Sequence, residues 1–269
     1  MPGGESRPGI VELPVRRWRD GIWQQASDSV AEEVPVALTF NSIPHVVMLA
    51  TPADLLDLGR GFSFTEGLVE APDEIREAEL KVAPDGLEVA LSVPQQRLAQ
   101  LLERRRNLTG RTGCGVCGAE TIEEVIRVPP PVAGGGSVRR EVLAAALAEL
   151  KSRQTMNAAT GSLHAAAWVG WNGAIHLVRE DVGRHNALDK VIGALLAQRA
   201  DRLEGLLLVT SRASYEMVQK AATAGVRMLV AVSAPTALAV ELAERTGLTL
   251  IGFARESQQV VYTHPERVA

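Results

Sequence analysis

The chain has 269 residues, enough for two domains or one large one, and 46% of them are apolar, which is enough to fill a substantial core. A formal net charge of −4 argues against broad nucleic-acid affinity, and no stretch approaches the roughly 20 apolar residues of a membrane span. Aromatic residues make up 4% and alanine is abundant, which points to helices packed on sheets. The N-terminus, Met1–Ser6, has no apolar signal region, so a cytoplasmic location is the default expectation. In that compartment the two cysteines would stay reduced.

Residues 1–33 alternate charge, Gly and Trp and read as an arm or an irregular strand. Val34–Phe40 and His45–Ala50 read as strands around the turn residues Asn41-Ser42-Ile43-Pro44. Thr51-Pro52-Ala53-Asp54 predicts a helix start, with Thr51 as N-cap and Pro52 in the first helical position. Gly59 and Gly61 are expected to break that helix. Ala78–Ala83 and Leu87–Val93 form a predicted hairpin around Pro84-Asp85-Gly86, and Gln95–Arg106 is helical.

The segment Thr112–Gly118 follows, and it holds both cysteines, Cys114 and Cys117, among three glycines. Glycines free the backbone and leave the sulfurs uncovered, which suits a thiol that must reach a partner. A structural zinc site needs four ligands, but there is no second Cys pair and the histidines are scattered. A thioredoxin-like dithiol should open a helix early in its domain, whereas this pair lies deep in the chain after Glu103–Asn107. Two inert small apolar residues remain possible, as does a sulfur nucleophile. Arg111 favours a thiolate while Glu120, Glu123 and Glu124 oppose it, so the local charges leave the choice open.

Pro129–Gly136 reads as a linker that is stiff, then flexible, with Ser137 expected to cap a helix over Val138–Ser152. The chain therefore divides into an arm at 1–33, an α+β subdomain at 34–130 carrying the cysteines, a linker at 131–137 and an α/β domain at 138–269. In the last part, His164–Trp171 and Ala174–Val178 are strands joined by Asn172-Gly173. Helices are predicted at Asn186–Arg199, Tyr215–Ala224 and 236–246, and strands at Leu206–Thr210, Arg227–Val232, Leu248–Phe253 and Val260–Thr263. This alternation implies a mixed, mainly parallel sheet covered by helices, with ligands at the C-terminal ends of its strands.

Those ends carry the polar residues. Arg184 and His185 follow one strand, Ser211 and Arg212 a second, Ser233 and Thr236 a third, and Arg255 a fourth. Each alone reads as a loop with cap residues. Together they make a phosphate environment of hydroxyls, arginines and helix starts. No P-loop occurs, and the glycines at 113, 115 and 118 have no strong strand before them, so a dinucleotide fingerprint there is weak.

Five motifs carry a resemblance: Thr112–Gly118, Thr160–Ala167 (Thr-Gly-Ser-Leu-His-Ala-Ala-Ala), Glu180–Lys190, Ser211–Lys220 and Ser233–Ala239. In this order they closely resemble the formate dehydrogenase accessory protein family (FdhD/NarQ), from about residue 34 to the C-terminus. The resemblance implies a cytoplasmic sulfur carrier, a sulfurtransferase needed for active formate dehydrogenase and expected to be a homodimer. A cysteine desulfurase loads it with a persulfide, and the sulfur passes to the bis-molybdopterin guanine dinucleotide form of the molybdenum cofactor. By position, Cys114 would bear the persulfide; Cys117 is the second catalytic candidate, its role left open by the sequence. The cofactor-contacting segment would be Phe253, Ala254, Arg255, Glu256, Ser257 and Gln258, and no nucleic acid or membrane is expected as partner. Within it Phe253 could pack on a ring and Arg255 pair with phosphate. Glu256 could accept from guanine, although it reads first as a solvated surface residue. Ser162 departs from the second glycine common in the family.

The family's fold resembles the cytidine deaminases. Those enzymes hold zinc with a His- or Cys-x-Glu and a Pro-Cys-x-x-Cys. Here His164-Ala165-Ala166 lacks the Glu and no proline precedes Cys114, so neither deamination nor a metal is expected. Part of 157–167 could be helical if the fold is deaminase-like. The other reading of function is a non-catalytic chaperone that binds the cofactor and docks on the dehydrogenase without using the thiol.

Overall fold

The computed structural model describes residues 9–107, 126–134 and 136–269. Its first two strands, β1 (Ile10–Arg19) and β2 (Ile22–Ala31), pair in register along their whole length. The irregular strand expected there is a regular hairpin. Its turn is Asp20-Gly21, with φ of 52° and 83°, the left-handed pair that matches strand twist.

Strands β3 (Val34–Phe40), β4 (Ile43–Ala50), β5 (Glu77–Ala83) and β6 (Gly86–Ser92) form a sheet in the order β4-β3-β6-β5, with β3 and β6 parallel. Asn41 turns the first hairpin in the left-handed region and ties it to β6: its side chain donates to Val93 O and accepts from Val93 N. Helix α1 (Leu55–Thr65) follows β4, and α2 (Gln95–Asn107) follows β6.

Helix α1 departs from expectation at both ends. Its N-cap is Asp54, in the left-handed region, and no side chain caps it. Thr51 is drawn into the interior instead, fully buried against residues 181–190. Gly59 and Gly61 do not break the helix. They strip side chains from the two places where neighbours press on it. A Cβ on Gly59 would lie 2.6 Å from Val89 Cγ1 of β6. A Cβ on Gly61 would lie 1.8 Å from the carbonyl oxygen of Asp189 in helix α5 (Arg184–Ala197), the fifth α-helix among the described residues. The contact is reciprocal, since a Cβ on Gly193 would lie 1.8 Å from the carbonyl oxygen of Asp57. Backbone therefore meets backbone, and the helix-propensity cost of two glycines is outweighed by the packing they allow.

Helix α3 (Arg140–Arg153) starts later than Ser137 predicts, because Val138 is drawn into a parallel bridge with Val268. Helix α4 (Thr155–Thr160) realises the helical option for part of 157–167 and stops at Gly161, φ 70°. Then come β7 (His164–Gly170), β8 (Ile175–Asp181), α5, β9 (Gly205–Val209), α6 (Tyr215–Thr223), β10 (Met228–Ala231), α7 (Ala237–Thr246), β11 (Thr249–Arg255) and β12 (Gln258–Val261). The sheet order is β12-β11-β10-β9-β7-β8. Strands β9, β10 and β11 are mutually parallel and β8 runs with them, whereas β7 and β12 run against them. The sheet is thus mixed, with four of six strands in one direction.

Helices cover both of its faces. Leu143, Ala146 and Leu150 of α3 pack on Ala167, Val169, Leu206, Leu208, Val230 and Ile251. The opposite face meets α5, α6 and α7, and that apolar cluster continues through α1 into Val36, Leu38, Val89 and Leu91 of the four-stranded sheet. Among the described residues no helix is long and apolar enough to cross a membrane.

Candidate functional site

The C-terminal ends of β8, β9, β10 and β11 lie at one edge of the six-stranded sheet, joined there by the start of the opposed strand β7. His164, Asp181–His185, Thr210–Ser214, Ser233–Thr236 and Phe253–Arg255 are brought together on this edge. Backbone bonds knit the loops: Ser233 N donates to Ser211 O (3.4 Å), Thr236 N to Ala213 O (3.0 Å) and Phe253 N to Ser233 O (3.2 Å).

The predicted site residues differ in how they present themselves. Ser211 is buried and its hydroxyl donates to Arg212 O (3.0 Å), while Arg212 is exposed. Thr236 caps α7, its Oγ1 accepting from Ala239 N at 3.3 Å. Phe253 sits at a register shift between β11 and β12, with φ 50° and 36% of its surface exposed. A bulged, exposed aromatic in the left-handed region is a strained position of the kind found at binding sites. Ala254 turns the other way, into the core beside α3. Arg255 pairs with Gln258, Glu256 and Ser257 lie between them at the hairpin tip, and all four are exposed. Cys114 and Cys117 lie outside the described residues.

Three further residues at this edge were not among the predicted site residues: His164, Ser214 and Glu216. His185 Nε2 lies 2.7 Å from Glu216 Oε2, without the alignment of a hydrogen bond. The contact with His185 holds the Glu216 carboxyl below its usual range, against some burial. Burial lowers the His164 imidazole, and the nearby Arg184 and His185 lower it further, so it favours the neutral form. Ser214 precedes a helix start in the sequence, a legible cap signal. The His185–Glu216 pair joins residues far apart in the chain and has no local signature.

Two buried ion networks hold the edge from beneath. Asp181 and Lys190 are both fully buried, with Oδ2 and Nζ 2.6 Å apart. Asp181 also accepts from Thr51 N, Gly183 N and Asn186 Nδ2, so its carboxylate is solvated by the protein. In the second network Lys220 donates to Asp189 Oδ2 (2.9 Å), Glu66 Oε1 (2.8 Å) and Thr65 Oγ1 (2.9 Å). Arg127 donates to Glu66 Oε2 and to the Glu66 carbonyl, both at 2.6 Å, and Tyr215 OH donates to Arg127 O (2.9 Å). Arg127 stands ten residues after Cys117, so the chain leaving the cysteines is fastened beside Tyr215, the first residue of α6.

The second network predicts a pH response. Burial would raise the Glu66 carboxyl, but Lys220 and Arg127 outweigh it and bring it from 4.5 down to about 2. A folded-state value below the unfolded one adds stability above about pH 4.5 that is lost as pH falls toward 2, on the order of 3 kcal/mol in all. Urea unfolding of Glu66→Gln should show a deficit against the native chain at pH 7 that narrows steadily below pH 4.5. A deficit independent of pH would show that Glu66 acts through shape, not charge.

Among the described residues no group of three His, Cys, Asp or Glu side chains converges as metal ligands would. Among the described residues the molecule is thus an α/β protein of three sheets, and its six-stranded mixed sheet gathers arginines, hydroxyls and an exposed aromatic on one edge. It belongs to the FdhD/NarQ family, whose profile matches residues 31–269. A relative from Xanthomonas campestris pv. campestris (strain B100), named sulfur carrier protein FdhD, is 51% identical over 268 residues, covering 100% of this chain and 95% of that protein. One of the same name from Cupriavidus necator is 52% identical over 266 residues, covering 99% of this chain and 92% of that protein. The crystal structure of a candidate formate dehydrogenase accessory protein from Desulfotalea psychrophila superposes with a TM-score of 0.76 at 25% identity, covering 97% of this chain and 100% of that one.

Proposed function

We propose that this chain is a sulfur carrier for formate dehydrogenase: it accepts sulfur from a cysteine desulfurase on Cys114 and delivers it to the molybdenum cofactor before the cofactor enters the dehydrogenase. Membership of a family whose relatives are named sulfur carriers supports the reading. The observation that carries it is the bond from Tyr215 OH to Arg127 O, which fastens a residue ten positions after Cys117 in the sequence beside the start of α6.

In the loading step the Cys114 thiolate attacks the terminal sulfur of the donor persulfide. An S–S bond forms on Cys114 and the donor cysteine leaves as thiolate. Delivery as sulfide requires two electrons. Cys117 supplies them by attacking Cys114 Sγ, which forms a Cys114–Cys117 disulfide and releases the terminal sulfur as hydrosulfide; an external dithiol then restores the pair by exchange and leaves as its own disulfide. The molybdenum cofactor is the acceptor substrate, with its guanine dinucleotide arms along Phe253–Gln258 and the loops of Arg184, His185, Ser211, Arg212, Ser233 and Thr236. The proposal takes the six-stranded sheet as a deaminase-type scaffold without deaminase chemistry: His164 opens a strand and Ala166 stands where a proton-shuttling Glu would be. It places the protein in the cytoplasm, working as a homodimer.

Intact mass after incubation with a desulfurase and cysteine tests the thiol. A gain of one sulfur, lost in Cys114→Ala, is expected, with the variant folded but unable to mature the dehydrogenase. A variant that still sulfurates the cofactor normally would leave the chaperone reading in its place. Calorimetry tests the ligand. Guanosine diphosphate should bind more tightly than adenosine diphosphate, and Arg255→Ala should cost on the order of 1.5–3 kcal/mol, roughly ten- to hundred-fold. Equal affinity for the two nucleotides, or no effect of the substitution, removes this segment from the site.

A further inference from the structure

Helix starts leave backbone N–H groups without partners, and a serine at the N-cap ordinarily accepts from one of them. Ser214 occupies that position in α6 and makes no such bond, and its Oγ is buried with no hydrogen-bond partner. Gly183, the N-cap of α5, has no side chain to offer. The 14-residue α5 and the 9-residue α6 therefore both begin uncapped. The next helix along the edge does not, because Thr236 caps α7 with its own hydroxyl.

The two uncapped starts are neighbours. His185, in the first turn of α5, meets Glu216, in the first turn of α6, at 2.7 Å. Arg184, the first residue of α5, enters no ion pair among the described residues, and its Nε is buried without an acceptor. Its charge is felt by both His164 and Glu216, and it neighbours His185, whose ring reaches the first turn of α6. The carboxylates nearby are already engaged, Asp181 with Lys190 and Glu216 with His185. What remains is a cation, a hydroxyl and two sets of helix N–H groups that lack an acceptor. Buried polar atoms without partners are rare in folded proteins and mark a missing ligand, ion or water.

We propose that a phosphate-class oxyanion seats between the starts of α5 and α6, held by Arg184, Ser214 and the first-turn N–H groups of both helices. This deepens the nucleotide reading given above and rests on it for the ligand's identity: the anion is the diphosphate of the guanine nucleotide arm. It also moves the phosphate away from α7, whose start is already capped, and leaves Ser233 and the Phe253–Gln258 tip to hold the rest of the arm. Anions at helix starts gain from the dipole as well as from the hydrogen bonds.

The test is calorimetric titration of the full chain with inorganic pyrophosphate, repeated for Arg184→Gln, Ser214→Ala and the remote surface variant Lys151→Gln. Arg184→Gln should weaken pyrophosphate binding about ten-fold or more, and Ser214→Ala roughly three- to ten-fold. Lys151→Gln should bind as the native chain does. Ser214→Ala removes one atom, so it keeps the test open if Arg184→Gln folds poorly. Guanosine diphosphate, run as a competitor, separates the two proposals. If it displaces pyrophosphate, both stand. If pyrophosphate binds with the expected dependence on Arg184 and Ser214 but the nucleotide neither binds nor competes, the anion seat stands without the diphosphate identity. If the nucleotide binds equally well to the native chain and to both variants, the seat is overturned while the nucleotide reading survives elsewhere on the edge. Absence of pyrophosphate binding to the native chain also overturns the seat.

Discussion

Gly193→Ala should destabilise the fold by about 3 kcal/mol or more, although it adds a single methyl group to a helix and improves helix propensity. The added Cβ would meet the Asp57 carbonyl at 1.8 Å, well inside contact distance, and that carbonyl cannot rotate away. Helices α1 and α5 must separate, and the loss spreads to Leu58, Leu188, Val191 and Ile192, all fully buried. Gly225→Ala is the matched control. Gly225 follows the end of α6, with φ 74° and open space around its Cβ position, so the cost there is the backbone term alone, about 1–2 kcal/mol. Chemical denaturation of both variants measures the difference. A Gly193→Ala chain as stable as Gly225→Ala would mean that the helix pair can slide apart freely.

Asp181→Ala should cost on the order of 3–5 kcal/mol, because it strands the Lys190 ammonium at zero exposure. It also leaves the N–H groups of Thr51 and Gly183 without their carboxylate acceptor. Desolvation already pulls the Lys190 pKa down, with Asp181 opposing, so the variant should regain some stability as the lysine neutralises at high pH. The pair Asp181→Leu with Lys190→Met removes both charges and should be less damaging than Asp181→Ala alone. If the double variant is the worse of the two, the network matters for its hydrogen bonds to the backbone more than for charge balance.

Much of the second half was legible because its signals are local. Asn172-Gly173 marks the β7–β8 hairpin, short apolar runs mark β9 and β10, and Gly247 ends α7 in the left-handed region where it was expected. The local signals failed where distant residues took over the same atoms. Thr51 has the chemistry of a helix cap, but its N–H, hydroxyl and carbonyl are all claimed by residues 181–190. Gly59 and Gly61 read as breakers because nothing in the neighbouring sequence announces β6 and α5 pressing from two sides. The polar edge was legible as a set of strand ends. Which residues on it lack partners was not, since the idleness of Ser214 and Arg184 depends on what surrounds them in space.

The crossing of α1 and α5 has a consequence for how the chain is made. Helix α1 shields Val89 and Leu91 of the first sheet, and its own outer side rests on α5, which ends about 130 residues after α1 does. Ribosomes add roughly 5–20 residues per second, so a nascent chain carries the apolar side of that helix uncovered for roughly 7–26 s. No early folding of the first half can close this interval, because the partner surface has not yet been translated. The half-made chain is therefore a natural client for chaperones that bind exposed apolar segments. Slowing translation between residues 65 and 197 should lower soluble yield without altering the finished molecule.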